Sequence, residues 1–193
     1  MRNKSLVLAI STLILLSFLS GCIGGDDDEM VIVWDGEIEN LLLSTDDLGE
    51  DYEFDTDYTT DPEKIDDDPT ELEDLGFKEG AMSDFTFWGT ENIVIGAQRV
   101  LRYDVDKMDA VMDKYESDLE LEEDEKTSVE EVDLGTYGDQ SLAFKLIDQD
   151  SGEFGTYTIG FIKNDIFVFI IVISVEDDGD MIKDITEKIE NKF

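Results

Sequence analysis

The clearest periodic pattern in the chain predicts an amphipathic helix near its middle. Apolar residues recur there at intervals of three and four, as they do on one face of an α-helix. They are Val105, Met108, Met112, Tyr115 and Leu119. A similar stripe from Met181 to Ile189 predicts a helix at the C-terminal end, and a shorter one in residues 38–48 predicts a helix near the start of the folded part.

Several apolar runs predict β-strands, because they are short, alternate with polar residues or are bounded by turn residues. The ranges are 76–88, 93–103, 128–132, 140–148, 154–163 and 166–175. The pair Asn164–Asp165 between the last two runs predicts a tight hairpin. The run 166–175 is apolar on both faces, which predicts a central strand that is covered on both sides. Its second cover is expected from residues 50–73 or from a partner subunit, as in a homodimer through the sheet.

The segment Glu50–Glu73 is polar and contains two Asp-Pro pairs, at Asp61 and Asp68. These features predict a long loop or irregular extension within one domain. Its aromatic residues alternate with acids, so part of the segment is expected to lie along a sheet edge. These aromatic residues are Tyr52, Phe54 and Tyr58.

The order of the elements predicts an α+β fold, in which about three helices pack on a curved antiparallel sheet. The expected organisation is a signal peptide in residues 1–21, an acidic flexible tether in residues 22–35 and a single α+β domain in residues 36–193. Gly24–Gly25 and the acidic run Asp26–Glu29 carry the tether prediction, because glycine is flexible and like charges repel one another.

The N-terminal segment has the features of an export signal. Arg2 and Lys4 precede an apolar run, Leu6–Leu19, of about fourteen residues. As a helix it would span roughly 21 Å, less than a hydrocarbon core of about 30 Å, so cleavage is favoured over a permanent signal anchor. The segment Leu19–Cys22 resembles the lipobox of prokaryotic lipoproteins. That resemblance implies cleavage before Cys22, lipidation of Cys22 and an extracytoplasmic, lipid-anchored protein.

Charge narrows the set of partners. The chain has 51 acidic and 14 basic residues, a formal net charge of −37. Such a surface repels nucleic-acid phosphates and anionic head groups, so nucleic-acid binding is not expected, and the membrane would be reached through the lipid on Cys22. Self-repulsion costs less at high ionic strength, and we therefore predict a moderately halophilic, archaeal source.

The residue types available for chemistry are few. The chain has no histidine, and Cys22 is its only cysteine, so the commonest general base and thiolate zinc ligands are missing. We predict a non-catalytic protein with no cofactor and no catalytic residue. A carboxylate-based hydrolase is an alternative, because so many acids always include some pair at a suitable separation.

Binding of a divalent cation, Ca²⁺ in particular, is another alternative. The segment 148–153 begins like a calcium loop, with Asp148, Asp150 and Glu153 as candidate ligands. The glycine, however, comes one place early, and the twelfth position is Ile159 where a calcium loop has Glu. A solvated turn therefore explains the segment equally well.

Three short segments carry a family resemblance. They are Leu41–Leu48 after a lipobox, Gly135–Ser141 before a strand, and the hairpin through Lys163–Asp165. Together they resemble small archaeal and actinobacterial surface lipoproteins with a PsbP-like α+β domain, over most of the mature chain. The resemblance implies an extracytoplasmic role in binding, sensing or assembly, with a protein partner or a small ligand.

Overall fold

The computed structural model describes residues 33–65, 69–89, 93–121, 127–148, 155–174 and 179–193. The signal peptide, most of the tether and residues 90–92 between two of the predicted strands lie outside these ranges. Ile32–Phe193 forms one compact unit that contains every described element. No described helix is long and apolar enough to cross a membrane.

Within the described ranges, seven antiparallel strands form one sheet. They are β1 (Tyr52–Thr59), β2 (Glu79–Trp88), β3 (Ile93–Arg102), β4 (Thr127–Glu131), β5 (Gln140–Asp148), β6 (Gly155–Lys163) and β7 (Ile166–Ser174). Their spatial order is β1-β2-β3-β7-β6-β5-β4, so the last strand in sequence lies at the centre. This order confirms the antiparallel α+β fold and the central strand predicted for residues 166–175.

Four α-helices lie in the described ranges. They are α1 (Thr45–Leu48), α2 (Pro69–Asp74), α3 (Met108–Leu121) and α4 (Gly179–Glu190), and short 3-10 helices span Ile38–Leu41, Pro62–Lys64 and Val105–Lys107. The longest helix, α3, coincides with the predicted amphipathic pattern. The C-terminal helix, α4, coincides with the stripe that begins at Met181.

The two faces of β7 belong to two separate hydrophobic clusters. On one face, Ile166, Val168 and Ile170 join the α4-side core, which also contains Ile182, Ile185, Ile189 and the N-terminal Ile38, Leu41 and Leu43. On the other face, Phe167 joins the α3-side core, with Phe169 packed against it. Helix α3 supplies most of the second cover, and Ile65 and Leu72 from the segment 50–73 lie beside it.

Helix α3 approaches the sheet closely over Gly160 of β6. A Cβ atom at Gly160 would lie 2.6 Å from Cε1 of Tyr115 and 3.0 Å from Cε2 of Phe167. The Tyr115 hydroxyl lies 3.2 Å from Oγ1 of the buried Thr158. The missing side chain at Gly160 therefore sets the distance between the helix and the sheet.

The hairpin at Asn164–Asp165 is confirmed. Lys163 pairs with Ile166 across a two-residue turn, and Asn164 has φ 59°. This left-handed conformation is tolerated by Asn better than by most residues. The turn is held from a neighbouring loop, because Asp139 Oδ2 accepts the Asn164 N–H at 2.9 Å.

The predicted helix of residues 38–48 is interrupted. Ile38–Leu41 forms a 3-10 turn, and Thr45–Leu48 forms the separate helix α1. Ser44 has an extended backbone and starts α1 with a capping box, in which Asp47 Oδ2 accepts the Ser44 N–H at 2.9 Å. In addition, the Ser44 Oγ donates to the same Asp47 oxygen at 2.8 Å. A new cap in the middle of the apolar stripe ends the first turn and begins another helix.

The segment 50–73 is more regular than predicted. It contains the whole of β1 and most of α2. The expected sheet edge is confirmed, because β1 is an outer strand paired with β2. The loop prediction is wrong for residues 69–73, where Pro69 opens a helix at a position that needs no N–H donor.

Candidate functional site

A groove of about 370 Å³ lies between α2, α3 and the sheet. Strands β3 and β7 form its floor, and the two helices form its walls. Its lining is mainly apolar and aromatic, with three charged residues. The lining residues are Ile65, Leu72, Leu75, Arg99, Leu101, Tyr103, Val111, Lys114, Tyr115, Asp118, Leu119, Phe167 and Phe169.

The local periodicities explain why these side chains meet. Alternation along a strand places Arg99 and Leu101 of β3 on the face that carries Phe167 and Phe169 of β7. Spacings of three and four along α3 place Val111, Lys114 and Asp118 toward the same space. Volumes of about 300–1,000 Å³ with apolar walls and a few polar groups are typical of small-ligand pockets.

Lys114 links the two helical walls of the groove. Its Nζ lies 2.9 Å from Glu71 Oε2 on α2 and 2.9 Å from Asp118 Oδ2 on α3. Burial acts to lower the pKa of Lys114, but the hydrogen bonds to these two carboxylates outweigh burial and leave its pKa above the ordinary value. The ammonium therefore keeps its charge at the mouth of the groove.

Arg99 is the second cation at the mouth of the groove, and its side chain extends from the floor formed by β3. Its Nη1 donates to Asp84 Oδ1 at 2.8 Å and to the Gln98 carbonyl oxygen at 3.0 Å. Among the described residues, these hydrogen bonds use one of the two terminal nitrogens. The guanidinium is thus held in position while part of its donor fork is unused.

Tyr115 closes the groove on the side of β6. Burial raises the pKa of the Tyr115 phenol far above its usual range, so the hydroxyl stays neutral. Its ring packs edge-on against Phe144 and Phe169, with centroid distances of 6.0 and 5.8 Å. This wall is therefore a packed cluster of aromatic rings.

The floor continues beyond the groove as a strip of apolar side chains at the far end of β3 and β7. The register pairs Ile95 with Ile173 and Ile93 with Trp88. Trp88 is 66% exposed and Ile95 is 41% exposed. Trp88 and Ile95 of this strip are therefore open to solvent, and the predicted homodimer through the sheet stays a prediction.

A second concavity, of about 410 Å³, lies beside the N-terminal segment and β1. Its lining is more polar than that of the groove and contains two carboxylates. The residues are Glu39, Leu42, Leu43, Ser44, Thr56, Asp57 and Tyr58. The groove is the better candidate site, because it combines apolar walls with two fixed cations.

The site residues predicted from the sequence lie elsewhere in the chain. Cys22, Asp150 and Glu153 are outside the described residues, and of Asp148 only the backbone, at the end of β5, is described. Within the described ranges, no group of three or more acidic, histidine or cysteine side chains is placed to hold a metal. The lipidation of Cys22 and the calcium site both stay predictions.

Arg99 and Lys114 were not singled out by the sequence. The sequence feature that could have identified them is the rarity of basic residues in this acidic chain. Arg99 lies inside a predicted strand, and Lys114 lies inside a predicted amphipathic helix.

The fold and groove define an α+β domain with one antiparallel sheet and a ligand-sized space under its longest helix. No known protein family matches the chain, and neither does any curated protein. Among solved structures, the fold is similar to the extracellular domain of PknH from Mycobacterium tuberculosis. The sequence identity is 11% and the TM-score 0.58, over 80% of this chain and 93% of that one. At this identity the likeness shows the fold alone.

Proposed function

We propose that this chain is a lipid-anchored, extracytoplasmic domain that binds a small, largely apolar ligand and performs no chemistry. The groove is the observation that carries the proposal, because its size and apolar lining are those of a ligand pocket. Of the residues that line it, Asp118 is the one carboxylate, and it is paired with Lys114. The other carboxylates at the mouth of the groove, Glu71 and Asp84, are likewise paired with Lys114 and Arg99, whereas the two carboxyl groups of a glycosidase act on the substrate as acid and as base or nucleophile.

The proposed location rests on the N-terminal segment. The lipobox-like residues Leu19–Cys22 follow an apolar run with basic residues before it. The likeness of the fold to an extracellular domain supports the same location. Together with the groove, these features describe a binding or sensing protein that is held at the cell surface.

The proposed lipid anchor is tested at the N-terminal residue of the mature protein. We expect protein from the membrane fraction to begin at Cys22 and to carry the mass of a lipid, and the Cys22→Ser variant to carry none. Mass spectrometry of the N-terminal peptide measures both properties. A mature N-terminus at another residue, without lipid mass, contradicts the proposed anchor.

Ligand binding is tested with the compact unit Ile32–Phe193, which contains both hydrophobic cores. We expect dodecanol to displace the neutral dye Nile red from the groove. Leu75→Trp, which fills the groove, should weaken dodecanol binding at least about tenfold. Leu48→Trp is the matched control, because Leu48 is also half-buried but packs on the α4-side core. Dodecanol that fails to bind, or binds both variants equally, contradicts the proposal.

A further inference from the structure

We propose that the ligand of the groove is a single-chain amphiphile with a carboxylate head, bound with its tail on the apolar floor and its head against Arg99 and Lys114. This inference rests on the proposed function, since it names the class of ligand for the same groove. Three features of the groove support this ligand class: the depth of its charges, the unused donors of Arg99 and the direction of its apolar floor.

At the mouth of the groove, the cationic side chains are more deeply buried than the carboxylates with which they pair. The side chains of Lys114 and Arg99 are 18% and 30% exposed, whereas those of their partners Glu71, Asp118 and Asp84 are 54%, 54% and 61% exposed. The cations therefore lie on the inside and the carboxylates face the solvent. A head group that enters the groove reaches the cations at a depth where screening by water is weaker than at the open surface.

The donors suit a carboxylate. A guanidinium presents a planar fork of N–H groups that matches the two oxygens of a carboxylate. Among the described residues, Arg99 uses only Nη1 for its hydrogen bonds to Asp84 and to the Gln98 carbonyl oxygen. The remaining donors of the fork can bind a head group without breaking the contact with Asp84.

The floor carries charge at one end only. Along the same face of β3, Arg99 is followed by Leu101 and then by Tyr103, both of which are buried and line the groove. Phe167 of β7 lies directly opposite Leu101. A ligand with its head at Arg99 therefore meets only apolar and aromatic side chains along this floor, as an alkyl tail requires.

Three ligands with one tail provide the test. In Nile red displacement from Ile32–Phe193 below their micelle-forming concentrations, we expect dodecanoate to bind more tightly than dodecanol, and dodecanol more tightly than dodecyltrimethylammonium. The large excess of acidic over basic residues in this unit predicts the opposite order, because it repels anions and attracts cations. At about 1 M NaCl the Debye length is about 3 Å, so the long-range repulsion is screened and the preference for dodecanoate should increase.

Substitutions of Arg99 and Lys114 test whether these two cations cause the preference for dodecanoate. Arg99→Gln and Lys114→Gln should each weaken dodecanoate binding about tenfold and change dodecanol binding by less than about twofold. Lys188→Gln is the matched control, because Lys188 also pairs with an Asp four residues away on a helix, but on the opposite face of the sheet. It should leave the binding of all three ligands unchanged.

The outcomes separate this inference from the proposed function. Equal binding of dodecanoate and dodecanol, or tightest binding of dodecyltrimethylammonium, overturns the carboxylate head while the apolar binding site stands. Displacement by none of the three contradicts both. The order in which wild-type Ile32–Phe193 binds the three ligands tests the carboxylate head even where a variant fails to fold.

Discussion

The buried side chain of Gln98 is the hydrogen-bond partner of the Leu43 backbone. Gln98 Oε1 accepts the Leu43 N–H at 2.8 Å, and Nε2 donates to the Leu41 carbonyl at 2.9 Å. Residues 42–44 leave the helical conformation, so these two groups have no partner within a helix. Gln98 satisfies both and fixes the N-terminal segment on β3.

Replacement of Gln98 by Leu should destabilise the protein strongly. The change keeps a similar volume but leaves a buried N–H and a buried C=O without partners, so we expect a loss of about 2–4 kcal/mol in the free energy of unfolding. Urea denaturation of wild type and variant measures it. Gln140→Leu, at an exposed position of β5, is the control and should change stability little. Equal effects of the two substitutions would show that the Gln98 bonds contribute nothing.

The Arg102 side chain connects the N-terminal segment at Gly36 to strand β2 and to the hairpin before β7. Its Nη1 lies 2.6 Å from Glu79 Oε1, its Nη2 donates to the Gly36 carbonyl at 2.9 Å, and its Nε lies 3.5 Å from Oδ2 of the buried Asp165. Asp165 Oδ1 in turn accepts the Trp34 N–H at 2.9 Å. The guanidinium therefore balances a buried carboxylate and holds the N-terminal segment.

Replacement of Arg102 by Met should release that segment. We expect a loss of about 3 kcal/mol, because the Asp165 carboxylate stays buried without its cation. In a Trp88→Phe background, Trp34 is the one remaining tryptophan, and its emission should shift to longer wavelength. The double variant Arg102→Met with Asp165→Asn should lose less than the sum of the single losses. Strict additivity would show that the two side chains are not coupled.

Gly160 should tolerate no side chain. In Gly160→Ala the new methyl group meets the Tyr115 ring at 2.6 Å, so the helix or the ring must shift. We expect a loss of about 1–3 kcal/mol on denaturation in urea. Gly179→Ala is the control, because the nearest atom to its Cβ lies 3.6 Å away, which is an ordinary contact. A Gly160→Ala variant as stable as Gly179→Ala would contradict this packing.

The ion pair between Asp47 and Lys192 should make stability depend on acidity. Burial acts to raise the pKa of Asp47, but hydrogen bonds from Lys192, at 2.7 Å, and from Ser44 outweigh it and lower the pKa below 3.8. The stabilisation is therefore present above pH 3.8 and is lost as the pH falls through the lower pKa of the folded state.

Asp47→Asn measures this contribution. We expect a loss of about 1 kcal/mol at neutral pH, and a difference from wild type that shrinks toward zero as the pH falls through the lowered pKa of Asp47. Asp46→Asn is the control, because Asp46 is an exposed neighbour on the same helix. A difference that stays constant from neutral to acid pH would show that the Asp47 charge is not involved.

Salt should stabilise the protein through screening. Raising NaCl from about 0.01 to 1 M shortens the Debye length from about 30 to 3 Å, so repulsion among the many acids weakens and the unfolding midpoint should rise. CaCl₂ at matched ionic strength should give the same rise if the segment 148–153 is a solvated turn. A larger, saturable rise with Ca²⁺ in thermal unfolding would favour a metal site there.

The sequence predicted the elements whose pattern is strong within a short window. The spacing of Val105 to Leu119 indicated α3, and Asn164–Asp165 indicated the hairpin before β7. Both follow from local geometry, because side-chain periodicity and turn conformation depend on a few neighbouring residues. The run 166–175 also indicated its own central position, since a strand that is apolar on both faces must be covered on both.

The sequence was less informative where a short element depends on its neighbours. Strand β1 carries Glu53, Asp55 and Asp57 and was predicted as a sheet edge within a long polar loop, and pairing with β2 is what makes it a regular strand. Helix α2 has six residues, too few to be stable alone, and its buried Leu72 packs on the α3-side core. Tertiary contacts decide both elements.

The sequence by itself determined the acidic surface, the α+β class and the main helices and strands, because these follow from composition and short-range periodicity. Only the tertiary structure decided where the cations lie. Arg99 and Lys114 come from different elements, and both line one groove because alternation on β3 and helical spacing on α3 place their side chains there. Strand order and helix placement are set by packing between residues far apart in sequence, which no local pattern specifies.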